Sequence, residues 1–283
     1  MPGREGKRVV TRRAGSFKSV ARLMLIPVGG IVLFFLWSFL HNALSLLHRE
    51  PHAEASVLAT AVPHRGDIVL ILDDVGFDHQ PLTSAMAIDP NVNFAVLPNG
   101  MRSLEFASAL HARGFELLCH LPMEPEGFPR ISPGDGAVLT TMSDAQIANA
   151  TRTNIGAIRF ARGVNNHMGS RATADSRVMT DVLRALPKGM YFIDSKTTGN
   201  SIAGSLARTM RVKTASRNVF LDDVQDVAAI RRQLAELSAT AASRGVSVGI
   251  GHMYPSTIQV LTEDAPKLRA EGFRFVRASS IVR

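Results

Sequence analysis

The sequence predicts a parallel α/β fold, a barrel or an open sheet, preceded by a membrane-anchoring helix. Three observations predict it. From about residue 66 to the C-terminus, apolar runs of strand length alternate with amphipathic stretches of helix length. The first run, Ile68-Val69-Leu70-Ile71-Leu72, holds no polar residue, as in a strand covered on both faces. Residues 23–47 contain no Asp, Glu, Lys or Arg.

The N-terminal segments come first. Residues 1–22 carry Arg4, Lys7, Arg8, Arg12, Arg13, Lys18 and Arg22 against Glu5, so most of the chain's formal charge of +8 sits in a short tail. No later stretch interleaves basic and aromatic residues, which argues against a nucleic-acid partner. As a helix, residues 23–47 would reach about 37 Å, against a hydrocarbon core of about 30 Å. The basic flank lies on the N-terminal side, so the tail belongs in the cytoplasm and everything after the span outside it. A cleaved secretory signal is the alternative. Its apolar region is usually about 7–15 residues, and no small-residue cleavage site follows this one directly. Residues 48–65 lack apolar periodicity and read as a linker, leaving 66–283 as one domain.

Within that domain the expected strands are 68–72, 92–97, 115–119, 162–166, 190–193, 219–221, 246–250 and 273–276. Helices are expected near 80–88, 102–113, 143–160, 174–186, 202–210, 225–244 and 257–271. Ser143-Asp-Ala-Gln146 fits a capping box, Asp226 opens a helix that stops at Gly245, and Gly114 and Gly272 follow helices as C-terminal caps do. The stretch 121–142 has too many Pro and Gly residues for a helix and reads as a long functional loop. Cys119, the single cysteine, lies inside an apolar run and reads as buried filler, with no disulfide available.

Polar residues then recur at strand ends. Asp73-Asp74 ends the first strand, His120 the third, Asn165-Asn166-His167 the fourth, Asp194-Ser195 the next, and His252 the strand 246–250. Parallel α/β folds build their sites at this edge, because the loops there converge. Carboxylate and imidazole are the ligands of a divalent ion when cysteine is absent, and one Asp with two His leaves positions open for water and substrate. A second carboxylate can take the water's proton, and a separate histidine can protonate a leaving group. Asp222-Asp223 reads instead as capping the helix that begins near Asp226.

The combination of Leu-Asp73-Asp74-Val-Gly, His120-Leu-Pro-Met-Glu124-Pro, Asn165-Asn166-His167-Met-Gly-Ser170, Phe192-Ile-Asp194-Ser195 and Gly251-His252 resembles the divergent polysaccharide deacetylases of bacterial envelopes. The resemblance covers roughly residues 66–283. It implies a distorted (β/α) barrel of about seven strands, a divalent metal, usually zinc, and a hydrolase that removes acetyl groups from a polysaccharide. It makes Asp73 the base, Asp74 a metal ligand and His252 the general acid. The broader superfamily has His-x-x-x-His where this chain has His120 and Glu124, so either Glu124 or His167 completes a site begun by Asp74 and His120. His167 is preferred, because it restores the two-His-one-Asp set. Glu124, Asn166, Asp194 and Ser195 are then expected to contact substrate. With the N-terminal span, the resemblance implies a single-pass protein of the bacterial inner membrane whose catalytic domain faces the periplasm. A glycan-binding protein without catalysis, and a metal hydrolase of another amide or ester, are the rival readings.

Overall fold

Ten residues, Gly66–Val75, form β1, the strand from which the domain is built. The computed structural model describes residues 34–41 and 62–283. Residues 34–41 are helical (α1). The remainder of the expected span 23–47, the tail 1–22 and the linker up to residue 61 lie outside the described residues. Among those described, no helix is long and apolar enough to cross a membrane.

β1 pairs in parallel with β8 (Val246–His252) along one edge. Its other edge is shared by β2 (Asn93–Val96) near its C-terminal end and β9 (Phe273–Phe275) near its N-terminal end. With β3 (Glu116–Met123), β4 (Ala161–Met168), β5 (Tyr191–Asp194), β6 (Thr214–Ser216) and β7 (Val219–Phe220), the nine-stranded sheet runs β6-β5-β4-β3-β2-β1-β8-β7. Every pairing is parallel. The two edge strands, β6 and β7, are separated in sequence by Arg217 and Asn218 alone. Three Cα steps span at most about 11 Å, so the edges must be neighbours and the sheet must curl. At this seam Arg217 N–H donates to the Asp194 carbonyl on the β5 side (2.9 Å), and Asn218 N–H to the Val248 carbonyl on the β8 side (2.8 Å). The result is a distorted barrel with eight strands along its path, against about seven expected. β6 is the strand that sequence reading misses: Thr-Ala-Ser offers no apolar run.

Helices α2 (Leu82–Ile88), α3 (Ser103–Ala112), α4 (Asp144–Ala157), α5 (Ser176–Ala185), α6 (Ala203–Thr209), α7 (Val227–Arg244) and α8 (Pro255–Ala270) fall where the amphipathic stretches predict. The capping box at Ser143 and Gln146 is formed, and Gly245 closes α7 in the left-handed conformation at φ 83°.

Side chains of a strand alternate between faces, and here the alternation separates two cores. Ile68, Leu70 and Leu72 belong to the larger one, with the apolar faces of the helices. Val69, Ile71, Ala95, Leu118, Ile193, Val248 and Ile250 fill the barrel interior. Below that layer the C-terminal segment plugs the barrel. Ala278 and Val282 join the interior cluster, and Thr214 N–H donates to the Arg283 carbonyl (3.1 Å). Buried Glu116 accepts there from Tyr191 Oη and from Ser279 N–H, each at 2.7 Å.

β3 continues past residue 119, the expected end, as far as Met123. Pro122 is tolerated because its carbonyl accepts from Val138 N–H (2.9 Å), which puts its missing N–H on the edge away from β4. This extension carries His120 up as part of the sheet.

Candidate metal centre and active site

The inward-facing rows that build the apolar layer continue upward into polar residues. Two positions beyond Ile71, Leu118, Ile193 and Ile250 stand Asp73, His120, Ser195 and His252, and β4 adds Asn165 and His167 on the same face. Register completes the grouping. Asp73 lies opposite His252 on β8, and His120 lies opposite Asn165, with His167 opposite Pro122. One face of one barrel end thus receives residues spread over most of the domain.

Asp74 is the exception to the alternation. Its backbone is left-handed at φ 57°, a conformation Asp adopts more readily than most residues, and this turns its carboxylate toward the histidines. Gly76 follows at φ 132°, where a Cβ would stand 2.2 Å from Ser103 Oγ, so only glycine fits the turn. Met168, which ends β4, and Lys196, after β5, also have positive φ (51° and 48°). Among the described residues, three of the five non-glycine residues with positive φ therefore border the site, as strained backbone at functional edges tends to.

Hydrogen bonds set the tautomer of His120. Asn165 Nδ2 donates to Asp73 Oδ1 (2.9 Å) and to Ser195 Oγ (3.3 Å), so Asn165 Oδ1 is left to accept from His120 Nδ1 at 2.9 Å. The His120 proton is on Nδ1, and Nε2 presents a lone pair. That nitrogen stands 3.2 Å from Asp74 Oδ1 and 3.2 Å from His167 Nδ1, which is itself 2.9 Å from Asp74 Oδ1. Asp74 Oδ1 is buried without a hydrogen-bonded partner. Ligands held about 2.0–2.1 Å from a tetrahedral ion stand about 3.3 Å apart, close to these three separations. Asp74, His120 and His167 therefore fit a divalent cation, and the buried orphan oxygen marks where its charge would fall. Burial alone would raise the Asp74 carboxyl, but whenever His120 and His167 carry protons on the nitrogens that face it, they hold it far below the usual carboxylate range.

Asp73 is buried, and burial raises its carboxyl against the opposing pull of His120 and His252. That is the direction a carboxylate needs to accept a proton. His252 Nε2 lies 3.6 Å from Asp74 Oδ2, while its Nδ1 faces Asp222 Oδ1 at 3.0 Å. Burial would lower His252, but Asp222, with Asp73 and Asp74 beyond it, pushes it up to about 9. The residues open onto a cavity of about 670 Å³ whose wall includes Asn166, Ser195 and Arg217.

Two residues expected to contact substrate are engaged inside the protein instead. Glu124 is 2 % exposed and lies outside the cavity. It accepts from Thr140 N–H (2.5 Å) and Oγ1 (2.8 Å) and from Arg171 Nη1 (3.0 Å), so it neither reaches the triad nor faces a ligand. Asp194 accepts from Lys196 N–H (2.9 Å), Ser201 Oγ (3.0 Å) and Gly204 N–H (3.2 Å), behind the cavity wall. Asn166 and Ser195 do reach the wall, where Asn166 Oδ1 accepts from Ser195 N–H (2.9 Å).

Sequence reading misses Asp222, Asn165 and Arg217. Asp222 is not a helix cap. Asp226 caps α7 itself, accepting from Ala229 N–H (2.9 Å), which leaves Asp222 to hold His252. The doublet Asp222-Asp223 after a strand repeats the pattern of Asp73-Asp74, a signal that could have found it. Asn165 was visible beside His167. Arg217, donating to the Ser195 (2.6 Å) and Lys196 (2.7 Å) carbonyls from the seam, has no local motif.

Comparison with known proteins places the fold and the family. The uncharacterized protein YibQ of Escherichia coli K12 is 34 % identical over 236 residues, 83 % of this chain and 73 % of the relative. An uncharacterized protein of Haemophilus influenzae is 34 % identical over 195 residues, 69 % of each chain. The fold is shared with a crystal structure of an uncharacterized Agrobacterium tumefaciens C58 protein, with TM-score 0.70 at 22 % identity over 78 % of this chain and 90 % of that one. The family model described as divergent polysaccharide deacetylase matches residues 70–282, from the body of β1 through the C-terminal plug. The chain belongs to the divergent polysaccharide deacetylase family.

Proposed function

We propose that the protein is a metal-dependent hydrolase that removes acetyl groups from an N-acetylated envelope polysaccharide, anchored in the bacterial inner membrane by residues 23–47 with its barrel in the periplasm. One observation carries the catalytic reading. Asp74, His120 and His167 converge on a buried, unpartnered carboxylate oxygen beside a second carboxylate and a separate histidine. The charge-free span and its basic flank support the anchor.

Asp74, His120 and His167 would hold a divalent cation, zinc by preference for this ligand set. When bound, such an ion lowers the pKa of a water and polarises a carbonyl. Asp73, kept basic by burial and oriented by Asn165 Nδ2, takes the proton of the attacking water. His252, kept protonated by Asp222, gives its proton to the departing amine. Asn165 ties both halves together, since it holds Asp73 through Nδ2 and His120 through Oδ1.

Metal analysis of the full chain beside four variants tests the ligand set. Asp74→Ala, His120→Ala and His167→Ala should each lose the ion, while Glu124→Ala should keep it. Retention in the His167 variant with loss in the Glu124 variant would reverse the assignment. Acetate release from N-acetylated oligosaccharides tests the reaction, and a metal-loaded chain that releases none from any such glycan would sink it.

A further inference from the structure

The plug end of the barrel, where each helix turns into the next strand, is charged unevenly. Residues 66–283 hold 23 Lys and Arg against 21 Asp and Glu, so the unevenness is one of placement. The turns that lead into β3, β4, β5 and β6, with the first residues of those strands, carry Arg113, Arg159, Arg162, Lys188, Arg211 and Lys213, all exposed. These four strands are consecutive in the sheet, so the six cations form one arc. The same segments hold one acid, Glu116, which is buried and bonded to Tyr191 and Ser279. Arg277, also exposed, extends the arc from the C-terminal segment by donating to the Gly114 carbonyl (2.7 Å).

Elsewhere on this end the cations are matched. Around β1 and β9, Arg65 meets Glu271 (3.3 Å), Arg269 meets Asp89 (2.7 Å) and Arg274 meets Asp67 (2.9 Å). Among the described residues no acid pairs with the six cations of the arc. Helix dipoles account for Arg184 and Arg208, in the last turns of α5 and α6. They do not account for Arg162, Lys188 and Lys213, which lie beyond those turns. Like charges left together on one face repel one another until a polyanion covers them.

The form of the arc selects the partner. Its residues stand on separate turns and line none of the five clefts of the described residues, so they suit a broad anionic surface better than a small anion. No large apolar residue is exposed in these turns, so the contact is one of charge without insertion. The chain also enters the barrel at this end, where β1 starts at Gly66. Residues 48–65 separate it from the proposed span, and they reach at most about 65 Å. That keeps a bilayer at high effective concentration beside this face.

We propose that the arc is a docking surface for the anionic phospholipid headgroups of the membrane. Docking seats the barrel plug end down and holds the candidate site about 30 Å from the lipid, the length of β1, opening toward polymer that stands off the bilayer. The proposal rests on the anchor reading of residues 23–47 for its source of lipid.

The test uses the full chain in phosphatidylcholine vesicles, with or without about one-third phosphatidylglycerol. A fluorophore on Ala112→Cys, exposed beside Arg113 while the native Cys119 is buried, reports energy transfer to a labelled headgroup. Transfer should rise about twofold with anionic lipid and fall back in about 0.5 M NaCl, where screening acts within a few Å. Reversing the arc with Arg159→Glu, Arg162→Glu, Lys188→Glu and Arg211→Glu should abolish the rise. The pair Lys188→Glu and Arg211→Glu alone should reduce it, which keeps the test decisive if the fourfold change impairs folding. Arg130→Glu, an exposed cation of the long loop at the other end, should leave it intact. Transfer indifferent to anionic lipid, or a rise that survives both reversals, would overturn the docking surface. Unchanged lipid transfer with loss of sedimentation on purified peptidoglycan would assign the arc to a wall polyanion and also overturn it. Alkaline carbonate extraction reads the anchor separately. A chain that is extracted yet still docks on anionic lipid removes the anchor and keeps the docking surface, and a chain that resists extraction without docking does the reverse.

Discussion

Asp222 meets His252 twice, through the backbone N–H at 2.6 Å and through Nδ1 at 3.0 Å, while Thr257 Oγ1 donates to the same carboxylate at 2.8 Å. The ring is held in orientation and in charge by one buried acid. Because its pKa lies above the ordinary 6.5, pairing of His252 adds stability below pH 6.5, and that contribution disappears as pH rises through about 9. The same shift keeps the proton available for donation across neutral pH. Asp222→Asn removes the charge that raises His252, so the alkaline limb of kcat/KM against pH should move below 9. The rate should fall about 100-fold, the usual worth of a positioned acid. An alkaline limb that stays in place would show that Asp222 does not govern this proton.

At the scale of elements, the long loop after β3 is the segment where Glu124 acts. Its carboxylate accepts from Thr140 at the far end of the loop and from Arg171 after β4, so one buried acid clamps two crossings of the chain. Burial would raise its pKa, but Thr140 and Arg171 lower it, so the clamp is present at neutral pH and is lost as pH falls through that lowered value. Glu124→Gln weakens three charge-assisted contacts, a loss of about 1–3 kcal/mol in local stability. Limited proteolysis should then cut within residues 126–139 faster than in the parent chain, while the metal content stays unchanged. A variant as resistant as the parent would show that the loop is held by Asn99 and Asn154 alone.

For the molecule as a whole, the barrel is closed at both ends by different means. The end that carries the candidate site is lined by polar side chains of five strands, and the opposite end is closed by the C-terminal segment. Glu116 joins the plug to the wall through Ser279 and Tyr191. Glu116→Ala leaves the buried Tyr191 phenol without its acceptor and removes the partner of the Ser279 N–H, at a cost of about 3 kcal/mol. In a domain of this size that lowers Tm by about 6–12 °C, measurable by thermal denaturation. A shift below about 2 °C would mean that the plug is held by its apolar residues instead.

Much of this was legible before folding was considered. Apolar runs and amphipathic spacing mark eight of the nine strands and every α-helix of the barrel domain, because burial on one or both faces leaves a periodic record in the chain. Asp73, Asp74, His120, His167 and His252 could be picked out because an ionisable residue ending a buried strand has no packing reason to be there. Tertiary structure decided the rest, since it depends on pairs distant in sequence. Only register sets His252 beside Asp73, and only the curl of the sheet, forced at Arg217-Asn218, brings β4 and β8 around one cavity. On paper either Glu124 or His167 could complete the site, with His167 preferred only for its ligand type. The fold separates them: alternation points His167 inward from β4 to Asp74, whereas Glu124 follows the end of β3 and is claimed by Thr140 and Arg171.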